Sequence, residues 1–132
     1  MAGDAEVQNI TVGNAVEDGK RGWFIGQFVP PAGELRKRDD IEIKWGVHPA
    51  GDVRARGWSI YRAATTITIL LEGVFVILLR GPGWKREVKL ERKGDYVIFK
   101  PGVEHSWHSE VDSLVLTIRT PSIPDDQENF ES

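Results

Sequence analysis

The sequence predicts an all-β protein folded as a small antiparallel barrel or jelly roll. Apolar residues alternate with polar ones or come in short β-branched runs, and no stretch has the period of an amphipathic helix. Glycine or proline interrupts these runs about every 8 to 12 residues, a spacing typical of sandwiches and barrels. A chain of 132 residues has room for about eight such strands, and closing them into a barrel leaves few exposed edges.

The first two strands are predicted in the amino-terminal third of the chain. Residues 22–29 (GWFIGQFV) form the first strand, which Pro30 ends because proline cannot donate a hydrogen bond to a β-ladder. Residues 40–48 (DIEIKWGVH) form the second strand, whose side chains alternate between two faces. We expect the dry face to carry Ile41, Ile43, Trp45 and Val47, and the other face to carry Glu42, Lys44 and His48.

The remaining strands follow from β-branched runs and glycine turns. Residues 64–81 contain two such runs with Glu72 and Gly73 between them, and this pattern predicts a β-hairpin. Residues 87–102 contribute two more strands on either side of a Lys-Gly turn. Residues 113–121 form the last long strand, which ends at a proline.

The chain has the length of one domain. We assign residues 21–122 to a single β-barrel domain, because the core-forming runs lie there. Residues 1–20 contain few core formers, so we expect a poorly ordered segment or an edge strand. Residues 123–132 (IPDDQENFES) are polar and acidic, which is typical of a frayed or partner-bound tail.

The composition excludes several partners and chemistries. The net charge is −3 and basic residues are scattered among acidic ones, so we expect no nucleic-acid partner. No run reaches the roughly 18 apolar residues of a membrane span and the start of the chain lacks the features of a signal peptide. We therefore expect a cytoplasmic protein without membrane association. Because the chain has no cysteine, only oxygen and imidazole groups remain for catalysis or metal binding.

Two segments of the barrel domain carry a known pattern. The stretch KGDYVIFKPGVEHSW resembles the second conserved motif of the cupin superfamily, with matches at Gly94, Pro101, Gly102 and His105. The upstream stretch from His48 to Gly73 is similar to the first cupin motif, with Gly51 opening it and Gly73 closing it. The resemblance covers roughly residues 40–120. It implies a cupin-like double-stranded β-helix, or jelly-roll barrel, and a homodimer.

The chain departs from the cupin pattern at the metal ligands. A metal-binding cupin has two histidines separated by one residue in the first motif, and a glutamate about seven residues before the closing glycine. Counting back from Gly73 reaches Thr66, and the paired histidines would fall within residues 57–62, which contain no histidine. Of the ligands that the resemblance implies, only His105 is present. We therefore expect a protein without a metal cofactor.

The resemblance places the candidate site inside the barrel, in an aromatic-lined pocket. We expect Trp58 and Trp107 to bracket this pocket, and His105 to be its polar or catalytic contact. The other ligand-binding candidates could fix a polar group of the ligand: His48, Arg62 and Arg119. The alternatives are a hydrogen-bonded barrel histidine, a histidine that only flanks a turn, and arginines on a solvated strand face.

Three functional hypotheses remain open. In the first, the protein binds or senses a small organic molecule without a metal. In the second, it is an isomerase, cyclase or oxygenase in which His105 moves a proton, or in which His105 and His48, with Glu42 as a further ligand, hold divalent iron, zinc, manganese or nickel. In the third, it is a structural subunit of a homodimer. The fold does not decide among them, because function depends on the site.

Overall fold

Two five-stranded antiparallel sheets face each other in the computed structural model, which describes residues 9–30, 35–54 and 57–130. The strands in this part of the chain are β1 (Trp23–Ile25), β2 (Glu42–His48), β3 (Trp58–Tyr61), β4 (Thr65–Glu72), β5 (Phe75–Gly81), β6 (Trp84–Leu90), β7 (Tyr96–Phe99), β8 (Glu104–Ser109), β9 (Ser113–Thr120) and β10 (Gln127–Phe130). Sheet 1 has the order β1-β2-β9-β4-β7, and sheet 2 has the order β10-β3-β8-β5-β6. The predicted all-β jelly roll is confirmed.

A short helix, α1 (Ala15–Asp18), precedes the sheets. Asn14 caps this helix, because its side-chain oxygen accepts hydrogen bonds from two backbone amides of the first turn, at 2.9 and 3.2 Å. The segment 1–20, expected to be poorly ordered or an edge strand, therefore contains one helical turn, and residues 1–8 lie outside the described residues. No helix in the described residues is long and apolar enough to cross a membrane.

The predicted hairpin over residues 64–81 is wrong. β4 lies in sheet 1, where it pairs with β7 and β9, whereas β5 lies in sheet 2, where it pairs with β6 and β8. The chain crosses between the sheets at Gly73, whose φ of 95° lies in the region that favours glycine. A side chain would not fit there either, because a Cβ atom on Gly73 would lie 2.7 Å from the Cα of Ser113. β5 instead forms a hairpin with β6.

The two faces of β2 are reversed relative to the prediction. Val47, expected on the dry face, is 68% exposed, whereas His48 is 7% exposed and lines the interior. The reason is that the outer face of sheet 1 is itself apolar. Ile43 of β2 lies beside Ile118 of β9, and Ile67 of β4 continues the row. The polar face of β2 is therefore the face that turns towards sheet 2.

The hydrophobic core lies between the sheets. Burial of apolar side chains here contributes about 25 cal/mol for each Å² removed from water. The core residues come from both sheets: Leu70, Phe75, Ile77, Leu79, Leu90, Phe99 and Val115. Several of them also line a cavity between the sheets, so the core bounds that cavity on one side: Phe75, Ile77, Phe99 and Val115.

The carboxyl-terminal segment is part of the barrel. The strand β10 pairs antiparallel with β3 along all 4 of its residues. Just before it, the carboxylate of Asp126 accepts hydrogen bonds from the amides of Ala63 at 2.8 Å and Ala64 at 3.0 Å. The frayed or partner-bound tail expected over residues 123–132 is thus corrected: β10 is an edge strand of sheet 2, and residues 131–132 lie outside the described residues.

Candidate functional site

A cavity of about 240 Å³, which we call the inner pocket, lies between the two sheets. Because a water molecule takes up about 30 Å³, the cavity has room for about eight waters. A small organic ligand would fit in the same volume. Sheet 1 supplies its polar side, consisting of Lys44, Thr66, Thr68, Thr117 and Arg119. Sheet 2 supplies its aromatic side, consisting of Tyr61, Phe75, His105 and Trp107.

His105 lies on β8 and is only 6% exposed. Its ring is stacked on Tyr61, with 5.1 Å between the centroids, and Phe99 contacts it at 4.8 Å. Its Nδ1 lies 3.5 Å from the carbonyl oxygen of Val103. Burial, followed by the charge of Arg119, lowers the pKa of His105 to about 3. The imidazole is therefore neutral at physiological pH.

His48 is the last residue of β2, and its ring packs against two aromatic side chains of the pocket, Trp107 and Phe75. Its ring centroid lies 4.4 Å from that of Trp107 and 4.9 Å from that of Phe75, and these two rings are stacked on each other. Its Nδ1 lies 3.0 Å from Oδ2 of Asp52. Burial lowers the pKa of His48. Because a carboxylate only accepts hydrogen bonds, Nδ1 carries the proton of the neutral ring and Nε2 is left as an acceptor.

The polar side of the pocket follows from the register of three neighbouring strands. Arg119 of β9 lies opposite Thr66 of β4, and Thr117 of β9 lies between Lys44 of β2 and Thr68 of β4. Side chains two residues apart on a strand point to the same face. Two cationic groups and three hydroxyl groups therefore share one wall.

Arg119 is held by charge and by aromatic rings. Its Nη1 donates to Oε2 of Glu42 at 3.2 Å. Its guanidinium carbon lies 4.4 Å from the ring centroid of Trp23 and 4.0 Å from that of Tyr61, so the group makes cation–π contacts with both rings. The Nε of Arg119 is buried and has no hydrogen-bond partner in the described residues.

Lys44 brings a second positive charge to the same wall. Burial, followed by repulsion from Arg119 and Arg54, lowers its pKa. Its Nζ lies 5.8 Å from the ring centroid of Trp23. The polar side of the pocket is therefore crowded with like charges.

A larger and more open cavity of about 620 Å³ leads towards the inner pocket. The two cavities share five lining residues: Arg21, Trp23, Tyr61, Arg119 and Gln127. These side chains therefore lie between the solvent-facing space and the interior. Unlike the inner pocket, the outer cavity is also lined by acidic residues: Glu42, Asp125 and Asp126.

The structure corrects the predicted placement of Trp58 and Arg62. Inward positions on β3 belong to Ser59 and Tyr61, so strand alternation turns Trp58 outwards, where its ring lies 3.9 Å from the guanidinium carbon of Arg80. The side chain of Arg62 is 62% exposed and pairs with a carboxylate of β10. Neither residue lines the inner pocket. The other four predicted site residues do lie together there: His48, His105, Trp107 and Arg119.

Comparison with known proteins identifies the architecture. No family profile and no curated protein matches the chain. A cupin protein from Bacteroides fragilis matches 64% of this chain and 69% of its own, at 20% identity and a TM-score of 0.53. The chain has the cupin fold. Among other proteins with this fold, Bacillus subtilis oxalate decarboxylase matches 72% of this chain but only 26% of its own, at 13% identity and a TM-score of 0.61. A TDP-quinovose 3,4-ketoisomerase from Campylobacter jejuni matches 68% of each chain, at 11% identity and a TM-score of 0.57.

The positions at which a metal-binding cupin has its ligands do not suit a metal here. Ser59 and Tyr61 are the inward residues of β3, and Ser59 lies directly opposite His105. The hydroxyl of Ser59 accepts a hydrogen bond from Arg54 and donates one to Oδ1 of Asn129 at 2.7 Å, so it keeps its proton. Burial raises the pKa of Tyr61 to about 12, so the Tyr61 hydroxyl is neutral as well. Thr66 takes the place of the glutamate. No group of three or more His, Cys, Asp or Glu side chains within the described residues could hold a metal ion.

The sequence reasoning missed several residues of the pocket. Lys44 was assigned to the same face of β2 as Glu42 and His48, but only Glu42 and His48 were considered for the site. The positions of Tyr61 and Thr66 were considered only because they lack the metal ligands of a cupin. The signal that could have found them is their position, since residues that replace inward-pointing ligands on a strand also point inwards.

Proposed function

We propose that this cupin-fold protein binds a small organic molecule in the inner pocket without a metal. The observation that carries this proposal is that Ser59, Tyr61 and Thr66 occupy the positions of the cupin metal ligands, and that Tyr61 and Thr66 line a cavity of about 240 Å³. Small-molecule sites typically combine apolar and aromatic walls with a few convergent polar groups. The inner pocket combines both, because its cationic and threonine side chains come from sheet 1 and most of its aromatic side chains come from sheet 2.

The state of His105 supports binding over proton transfer. A general base is most effective when its pKa lies near the working pH. Because burial lowers the pKa of His105 to about 3, the neutral ring is a weak base at physiological pH. In our proposal His105 is therefore a neutral hydrogen-bonding and stacking contact for the ligand, and proton transfer by His105 is disfavoured.

We expect Thr117→Phe to abolish ligand binding, because the new ring fills the inner pocket from β9. The matched control is Ile118→Phe on the same strand, whose side chain points to the outer face of sheet 1. The measurement is a thermal-shift screen of small organic acids, amides and alcohols. A compound at about 100 times its Kd stabilises its target by about 2.7 kcal/mol, a shift of several degrees.

Compounds that stabilise the unmodified protein and Ile118→Phe, but not Thr117→Phe, would support the proposal. If the same compounds stabilise Thr117→Phe equally, they bind elsewhere and the proposal fails. Circular dichroism checks that the variant is folded. Thr117→Leu, which fills less of the cavity, provides the same comparison if the phenylalanine variant is unstable.

A further inference from the structure

We propose that the ligand of the inner pocket is a planar organic carboxylate. Its anionic group would lie against Lys44 and Arg119 of sheet 1, and its flat apolar part against Trp107 and Phe75 of sheet 2. This inference rests on the proposed function and names the class of molecule that the pocket takes.

The charges around the inner pocket favour an anion. Arg21, Lys44, Arg54 and Arg119 line it, and no Asp or Glu does so among the described residues. The charge of Arg119 is matched by Glu42 at 3.2 Å. For Lys44, in contrast, no carboxylate of the described residues lies within ion-pair distance. A bound anion would supply the charge that this wall lacks, and pairing compensates for the cost of burying a cation.

Two buried donors of the pocket also lack partners. Thr66 is 2% exposed, and neither its Oγ1 nor the Nε of Arg119 has a hydrogen-bond partner in the described residues. Thr66 and Arg119 lie opposite each other in the β4–β9 ladder, so their side chains are cross-strand neighbours on the inner face. Buried polar groups are nearly always hydrogen-bonded. A carboxylate has enough lone pairs to accept from both groups and from Lys44.

The opposite side of the pocket fits a flat apolar group. Trp107 and Phe75 are stacked with 5.3 Å between their centroids and an angle of 29° between their planes, and both line the pocket. Aromatic rings bind other flat groups by offset stacking or edge contacts. Because the cavity of about 240 Å³ is small, it suits a single ring bearing a carboxylate better than a larger ligand.

The test is isothermal titration with benzoate and with benzamide, which share shape but differ in charge. We expect benzoate to bind the unmodified protein at least about tenfold more tightly than benzamide, because hydrogen bonds to an ionised group are stronger. In Lys44→Met we expect benzoate affinity to fall at least about tenfold. This variant should fold, since it removes a buried charge that its surroundings disfavour. Lys85→Met, on the exposed strand β6, is the control for net charge and should bind benzoate normally.

Each contrary outcome has its own meaning. If benzamide binds as tightly as benzoate, and Thr117→Phe abolishes both, the ligand class is wrong while the proposed binding function stands. If Lys44→Met leaves benzoate affinity unchanged, or the protein binds no benzoate at millimolar concentration, the inference is overturned. If both probes bind equally to Thr117→Phe, the inference and the proposed function fail together.

Discussion

Replacing Arg119 with methionine is expected to lower the free energy of unfolding by about 3 kcal/mol. Arg119 and Glu42 form a largely buried ion pair at 3.2 Å, with side chains 15% and 13% exposed. Removing the cation leaves the Glu42 carboxylate buried without its ion partner, with a hydrogen bond from Ser122 at 2.7 Å. The contacts of the guanidinium with Trp23 and Tyr61 are also lost. Urea denaturation at pH 7 measures the change.

Two further variants make the Arg119 result specific. Arg62→Met removes an exposed ion pair and should change stability by less than about 0.5 kcal/mol. The double variant Glu42→Gln/Arg119→Met should recover part of the loss, because it no longer buries an unpaired charge. An Arg119→Met protein as stable as Arg62→Met would show that the Glu42 pair does not stabilise the fold.

Lowering the pH from 7 to 5 is expected to cost about 2 kcal/mol of stability through His105 alone. Burial lowers the pKa of His105 from 6.5 to about 3. As the pH falls below 6.5, the unfolded chain therefore binds a proton that the folded protein does not, and the equilibrium shifts towards unfolding. The stability contributed by the neutral ring is fully present above pH 6.5 and decreases by about 1.4 kcal/mol per pH unit down to about pH 3.

The pH effect is measured by urea denaturation of the unmodified protein and of His105→Gln at pH 7 and pH 5. Glutamine keeps a polar side chain but has no titrating group in this range. His48, whose pKa is also lowered, is present in both proteins, so the difference between the two pH dependences isolates His105. Equal losses in both proteins would mean that His105 is not protected from protonation by burial.

Much of the fold was predictable because local patterns specify strands and turns. The Pro101-Gly102 turn before His105 is formed, with Gly102 at a φ of 88°. The crossing at Gly73 was not predictable, because two β-branched runs around a glycine look the same whether the chain turns back in one sheet or passes to the other. Only the pairing of β4 with β9, far apart in sequence, distinguishes the two.

The orientation of side chains was harder to predict than the strands. A shift of one residue moves every side chain of a strand to its other face. The pocket position predicted for Trp58 was wrong for this reason, whereas Trp107 lines the pocket with His105 as predicted. For β2 the rule that apolar faces turn inwards failed. Sheet 1 is apolar outside, and its inner face carries the polar groups of the pocket, including Lys44 and Arg119.

Elemental analysis tests most directly the claim that the pocket works without a metal. The protein is purified without an affinity tag, added metal or chelator, and iron, zinc, manganese and nickel are measured in it and in His105→Ala. We expect far less than one equivalent of any of these metals per chain, and no difference between the two proteins. About one equivalent of a metal that is lost in His105→Ala would contradict the claim.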